Sequence, residues 1–104
     1  MKRYGGVTRK KADGATFTPP ALAGFVARQV CQFVQPPAAG TLRICDPAVG
    51  EGALLFSLLA ELTRRRLDGS MEVYGFDKNP ASLAAARTLL ERHYPRLRLY
   101  LRLG

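Results

Sequence analysis

The sequence predicts an α/β chain of about three parallel strands with helices between them, the N-terminal half of a doubly wound sheet. Three observations carry this. Segments with strand period and helix period alternate along the chain, the pattern of strand–helix–strand crossovers. The first two strand segments each close on an acid, Asp46 and Asp77. Asp46 is followed by a glycine-bearing loop and then a helical pattern, the order that builds ligand sites at the carboxyl edge of an open parallel sheet.

Taken in order, residues 1–15 read as a basic arm, with Lys2, Arg3, Arg9, Lys10 and Lys11 among Gly5, Gly6 and Gly14. Such an arm either touches phosphates or is a flexible start. Residues 16–104 then form one partial domain. A first helix is expected from Thr18-Pro19-Pro20, where Thr18 can cap free amides and Pro19 suits the first turn. Leu22, Phe25, Val26, Val30, Phe33 and Val34 recur at helical spacing and are the expected inward face. Pro36-Pro37 stops this helix. Residues 41–45 read as a buried strand ending at Asp46-Pro47. The loop AVGEG, 48–52, leads into a second helix over 53–67 with Leu54, Leu55, Leu58, Leu59 and Leu62 as its apolar positions. Asp68-Gly69-Ser70 is a turn, and residues 71–76 form a second strand closed by Asp77. Pro80 opens a third helix, with Leu83, Ala84, Leu89 and Leu90 inward, that ends near Pro95. Residues 97–103 alternate apolar side chains with Arg98 and Arg102, as a half-buried strand does.

The chain has 104 residues, a single small domain at most. Sixteen basic against eight acidic residues give +8, which favours a polyanionic partner, nucleic acid first; the plainer readings are a solvated surface or a fragment separated from an acidic remainder. No apolar run approaches the roughly 20 residues that cross a bilayer. No apolar signal stretch follows the basic N-terminus, so a cytoplasmic chain is expected. Cys31 and Cys45 form no CxxC pair, so no metal site is readable, and both are expected to be small buried residues. His93 lies in a charged helix tail and is expected to be solvated.

The chemistry is concentrated in ICDPAVGEGALLFSLL and, downstream, VYGFDKNP. A carboxylate at the end of the second strand can accept hydrogen bonds from two ribose hydroxyls. The helix after the glycine loop offers free amides to an anionic group. A nucleoside triphosphate is disfavoured because the GxxxxGK[ST] loop is absent. A dinucleotide is disfavoured because the loop is not GxGxxG and because Glu51, between Gly50 and Gly52, would repel a pyrophosphate. S-adenosylmethionine suits the site better, having a ribose, a carboxylate, an ammonium and a sulfonium but no phosphate. The plainer readings are a strand-ending turn at Asp46-Pro47, a simple helix cap at Thr18-Pro19, sheet packing for Tyr74 and Phe76, and a solvated helix end for Arg64, Arg65 and Arg66, with DNA contact as the alternative for the arginines.

The stretch DPAVGEGALL resembles the DPxxGxGxxL motif of adenine-N6 DNA methyltransferases, and GFDKNPASLAAAR resembles their second motif. FTPPALAGFV is similar to the Thr-Pro segment that precedes the first strand in the gamma-type motif order. The resemblance covers residues 16–87 and implies a Rossmann-like, S-adenosylmethionine-dependent methyltransferase core. It implies that Phe17, Thr18 and Pro19 border the methionine end of the cofactor. Asp46, Pro47, Ala48, Gly50 and Gly52 form the loop beneath it, and Asp77 grips the ribose with Lys78 and Asn79 near the adenine. Glu51 departs from the small residue usual at its position.

The family's catalytic (N/D)PP(Y/F) tetrapeptide does not occur in the sequence, so no catalytic residue is assigned and the chain alone is expected not to methylate. What the resemblance implies for the full protein is transfer of a methyl group to adenine N6 of DNA in a restriction-modification setting, with DNA and a complementary methyltransferase or specificity subunit as partners. The alternatives are a fragment of an RNA or protein-glutamine methyltransferase, and a non-catalytic remnant or split subunit.

Overall fold

A computed structural model describes residues 18–35, 40–67 and 69–104. The expected arm at 1–15, Phe17, the proline stop at 36–37 and Asp68 lie outside the described residues. The elements run α1 (Pro20–Cys31), β1 (Thr41–Asp46), α2 (Ala53–Arg64), β2 (Ser70–Asp77), α3 (Pro80–His93) and β3 (Arg98–Leu103). The three strands form one parallel sheet in the order β1-β2-β3. In register, Ile44 lies beside Val73 and Val73 beside Leu99, while Asp46 lies beside Gly75 and Gly75 beside Leu101. This is the expected α/β architecture.

Two successive crossovers of one hand put both connecting helices on the same face of the sheet. The core accordingly joins Leu55 and Leu59 of α2 and Leu83, Ala86 and Leu90 of α3 to Val73, with Ile44, Leu99 and Leu101 packed against them. The alternation of strand side chains sends Arg43 and Cys45 of β1, Glu72, Tyr74 and Phe76 of β2, and Arg98, Tyr100 and Arg102 of β3 to the opposite face. On that face Tyr74 and Tyr100 stack with ring centroids 5.0 Å apart. Glu72, 8% exposed, accepts from Arg43 Nε at 3.0 Å, Tyr74 Oη at 3.0 Å and Arg98 at 3.1 Å, tying the three strands together. The Tyr74 hydroxyl, ahead of the two guanidinium groups, holds the Glu72 carboxyl below the usual carboxylate range.

Several expectations are corrected. The inward stripe of α1 is Ala23, Ala27 and Cys31, not the larger side chains: Leu22, Phe25, Val30 and Phe33 are all exposed, Phe33 at 83%. Small side chains let α1 approach closely, and the spacing of the large ones describes a face that the described residues leave uncovered. The helix also ends at Cys31, so Phe33 and Val34 fall in the turn and loop beyond it. Pro19 occupies the N-cap position and no side chain caps α1, so Thr18 does not play that part. In α2, which ends at Arg64 rather than Leu67, Leu55, Leu59 and Leu62 are buried whereas Leu54 and Leu58 line a groove. In α3 the buried set is Ser82, Leu83, Ala86 and Leu90; Ala84 is exposed. Cys31 is buried, and burial pushes its thiol pKa up, but Cys45 is exposed because the strand alternation turns it away from the helices. Tyr74, by contrast, shows the expected sheet packing, stacked on Tyr100 on the face away from the helices, where Phe76 also lies, 37% exposed. Among the described residues no helix is long and apolar enough to cross a membrane.

Candidate functional site

The carboxyl ends of β1 and β2 carry Asp46 and Asp77. Asp46 folds back on its own loop, with Oδ1 accepting the Ala48 N–H at 2.9 Å. That bond forms an Asx turn, for which an Asp at the start of a bend is well suited. The loop then crosses over the end of β2. Val49 donates its N–H to the Phe76 carbonyl at 2.9 Å, and Gly50 donates its N–H to Asp77 Oδ2 at 2.7 Å. The other oxygen, Oδ1, accepts the Asn79 N–H at 2.9 Å. Asp77 is 5% exposed, so a short side chain with both oxygens engaged pins the glycine loop to the sheet.

Gly50 and Gly52 have φ of 59° and 92°, in the left-handed region that side chains with a Cβ adopt at a cost. Gly52 is also the N-cap of α2, and a Cβ there would lie 3.2 Å from that of Ala86 in α3. The first hydrogen bond of α2 runs from the Phe56 N–H to the Gly52 carbonyl, so the amides of Ala53, Leu54 and Leu55 precede it at the positive end of the helix. Glu51, Pro47 and Ala48 are exposed beside them. Asn79 caps α3, its Oδ1 accepting the Ser82 N–H at 3.0 Å, and Lys78 is exposed between Asp77 and that cap.

Of the residues expected at the site, Asp46, Pro47, Ala48, Gly50, Gly52 and Asp77 therefore meet at one sheet edge, with Lys78 next to them. Thr18, half-buried, and Pro19, exposed, stand at the start of α1, with no hydrogen bond to the loop among the described residues. Sequence reasoning passed over Val49, Gly75 and the Asn79 cap. An Asn directly before a helix-starting proline signals the cap, and a glycine inside a strand signals a close approach of another segment.

The donor set fits an adenosine carrying an amino acid. Glycines leave backbone room, amides at a helix start suit a carboxylate, and Asp46 and Glu51 suit cationic groups. Against a pyrophosphate stands the carboxylate of Glu51, exposed beside those amides.

The fold is that of S-adenosylmethionine-dependent methyltransferases. A protein described as a class I methyltransferase of this kind from Listeria monocytogenes matches with a TM-score of 0.67 at 22% identity, over 88% of this chain and 26% of that one. The methyltransferase subunit of a type I restriction-modification system from Streptococcus thermophilus matches with a TM-score of 0.58 at 20% identity, over 82% of this chain and 18% of that one. The CMeT domain of the citrinin polyketide synthase matches with a TM-score of 0.53 at 24% identity, over 80% of this chain and 21% of that one. The chain thus spans about a fifth to a quarter of these structures. By sequence it belongs to the N-6 DNA methylase family, which it matches over residues 1–93.

Proposed function

We propose that residues 16–104 form the S-adenosylmethionine-binding portion of a DNA methyltransferase that acts on adenine N6 in a restriction-modification system, with 1–15 as a basic arm. The observation that carries this reading is the loop 47–52 slung between two strand-end carboxylates, Asp46 holding Ala48 and Asp77 holding Gly50. The bound cofactor supplies an activated methyl group on its sulfonium. Toward it, the backbone of Pro47, Ala48, Gly50 and Gly52 forms the floor, and Phe17, Thr18 and Pro19 border the methionine end. The amides at the start of α2 receive the carboxylate. Asp77, already fixed by Gly50 and Asn79, presents remaining lone pairs to the ribose hydroxyls, since each carboxylate oxygen has two. Lys78 and Asn79 flank the adenine. The net charge of +8 favours a nucleic acid over a protein substrate, and the restriction-modification neighbour favours DNA.

The groups that accept the target amine and read the DNA come, in this reading, from polypeptide docked beside β1. Among the described residues no strand pairs with the outer edge of β1. A groove of about 400 Å³ runs along it, lined by Val26, Val30, Leu42, Ile44, Leu54 and Leu58. Among the described residues the sheet face away from the helices carries Arg43, Arg98 and Arg102 against the one carboxylate of Glu72, which calls for an acidic surface on whatever covers it. An open strand edge is a template for adding a strand. Calorimetric titration of the folded chain with S-adenosylmethionine tests the cofactor reading: saturable heat is expected, and none from a sample with native circular dichroism overturns it. Transfer of labelled methyl to adenine-containing DNA is expected only when the complementary polypeptide is added.

A further inference from the structure

We infer that Val49, Gly75 and Leu101 form a latch that sets the cofactor loop in its working position, an inference that rests on the cofactor reading above. Val49 is the one loop side chain that turns inward; it is 4% exposed and belongs to the core cluster. It sits where β2 has no side chain. A Cβ built on Gly75 would lie 2.4 Å from Val49 Cγ2 and 2.7 Å from Leu101 Cδ2. Both distances would force a neighbour to shift, so the missing side chain at Gly75 is the seat for Val49, walled on the far side by β3.

The seat governs polar geometry as well as packing. The same residue, Val49, donates to the Phe76 carbonyl at 2.9 Å, and the next, Gly50, donates to Asp77 Oδ2 at 2.7 Å. Lifting the Val49 side chain moves both amides away from their acceptors. Gly75, Val49 and Leu101 need touch no cofactor atom; they are positioning residues that act through the Gly50 amide and the Asp77 carboxylate. The two clashes differ in kind. Leu101 Cδ2 is the end of a flexible side chain and can swing aside, whereas the β-branched Val49 is stiff at χ1. The Val49 Cβ itself would be 3.7 Å from the new carbon, an ordinary contact. An alanine at position 75 is therefore compatible with an alanine at 49, but not with valine.

The test is amide hydrogen exchange on the 104-residue chain, paired with calorimetric titration with S-adenosylmethionine. In the unaltered chain the Val49 and Gly50 amides are expected to be protected. Gly75→Ala unseats Val49, and Val49→Ala leaves the seat empty, so each alone is expected to speed exchange at those two amides about tenfold, within the range of coupling between contacting residues. Exchange at Val73 and Tyr74 in the middle of β2 is expected to stay unchanged. The double variant refills the seat and is expected to restore protection, with cofactor affinity falling and recovering in the same order. If Gly75→Ala does not fold, Val49→Ala and the double variant carry the same comparison. Unprotected Val49 and Gly50 amides in the unaltered chain, single variants without effect on them, or a double variant worse than either single would each overturn the latch. Exchange that follows the expected order while no variant, nor the unaltered chain, binds S-adenosylmethionine leaves the latch standing and removes the cofactor reading instead.

Discussion

The Gly50 amide donates to Asp77 Oδ2 across 2.7 Å in a buried setting, joining the glycine loop after β1 to the end of β2 over 27 residues of sequence. This one bond makes the glycine loop a product of the sheet rather than of its own composition. The partner oxygen is committed to Asn79, so Asp77 has no freedom to swing.

Asp77→Asn is the direct consequence. An amide offers one oxygen where two N–H groups need acceptors, and its NH₂ faces a donor. A buried group left without its partner costs about 1–3 kcal/mol. Thermal unfolding of the variant is expected to show that loss, and calorimetry a weakening of S-adenosylmethionine binding of at least about tenfold, since about 1.4 kcal/mol is a factor of ten. A variant as stable and as tightly binding as the parent would show that Asp77 braces nothing.

The Glu72 network predicts acid sensitivity. Its folded-state carboxyl lies below the usual range, chiefly through the Tyr74 hydroxyl, so it contributes stability above the unfolded value of about 4.3. That stability is lost as pH falls through the depressed folded value. Glu61, held down first by Arg64 and then by Arg65, acts in the same window. Melting temperatures taken from pH 7 to 3 are expected to drop at the acid end, and Glu72→Gln is expected to flatten part of that drop while Glu61 retains the rest.

The packing of α1 predicts opposite outcomes for two substitutions. Ala27 is 1% exposed, and enlarging it to leucine overpacks the α1–α2 contact at a cost of about 1–3 kcal/mol. Phe33 is 83% exposed, and Phe33→Ser is expected to change stability by less than about 0.5 kcal/mol. Chemical denaturation of the two variants tests whether Ala27 of α1 is tightly packed while Phe33, in the turn just beyond the helix, is not.

The cysteines are expected to react at different rates. Cys45 is exposed on the open sheet face, whereas Cys31 is buried with its thiol pKa raised by burial. A colorimetric thiol reagent should give one fast and one slow phase, and Cys45→Ser should delete the fast one. A complementary polypeptide covering the open face should slow Cys45; equal rates with and without it would place the partner elsewhere.

Much of the candidate site was legible in the sequence. Asp46, Gly50, Gly52 and Asp77 were singled out as candidates because strand-ending acids and loop glycines are local signals, tied to turn chemistry and backbone freedom at the residue itself, and the fold brings them to one sheet edge. The face of α1 was misread for the converse reason. Leu22, Phe25 and Val30 obey helical spacing as well as Ala23, Ala27 and Cys31 do, and periodicity does not say which stripe meets a neighbour. Cys45 was misjudged because its side of β1 depends on which face the helices cover.

Local pattern by itself determined the order of the elements, the parallel crossovers and the two acids at the carboxyl edge of the sheet, since propensity, periodicity and turn residues act over a few neighbouring positions. Only the tertiary structure decided that Asp77 reaches back to Gly50, that Val49 occupies the space Gly75 leaves, and that α1 buries its small side chains. Those outcomes depend on strand register and on the volume available between elements distant in sequence, and neither quantity is written in any single segment.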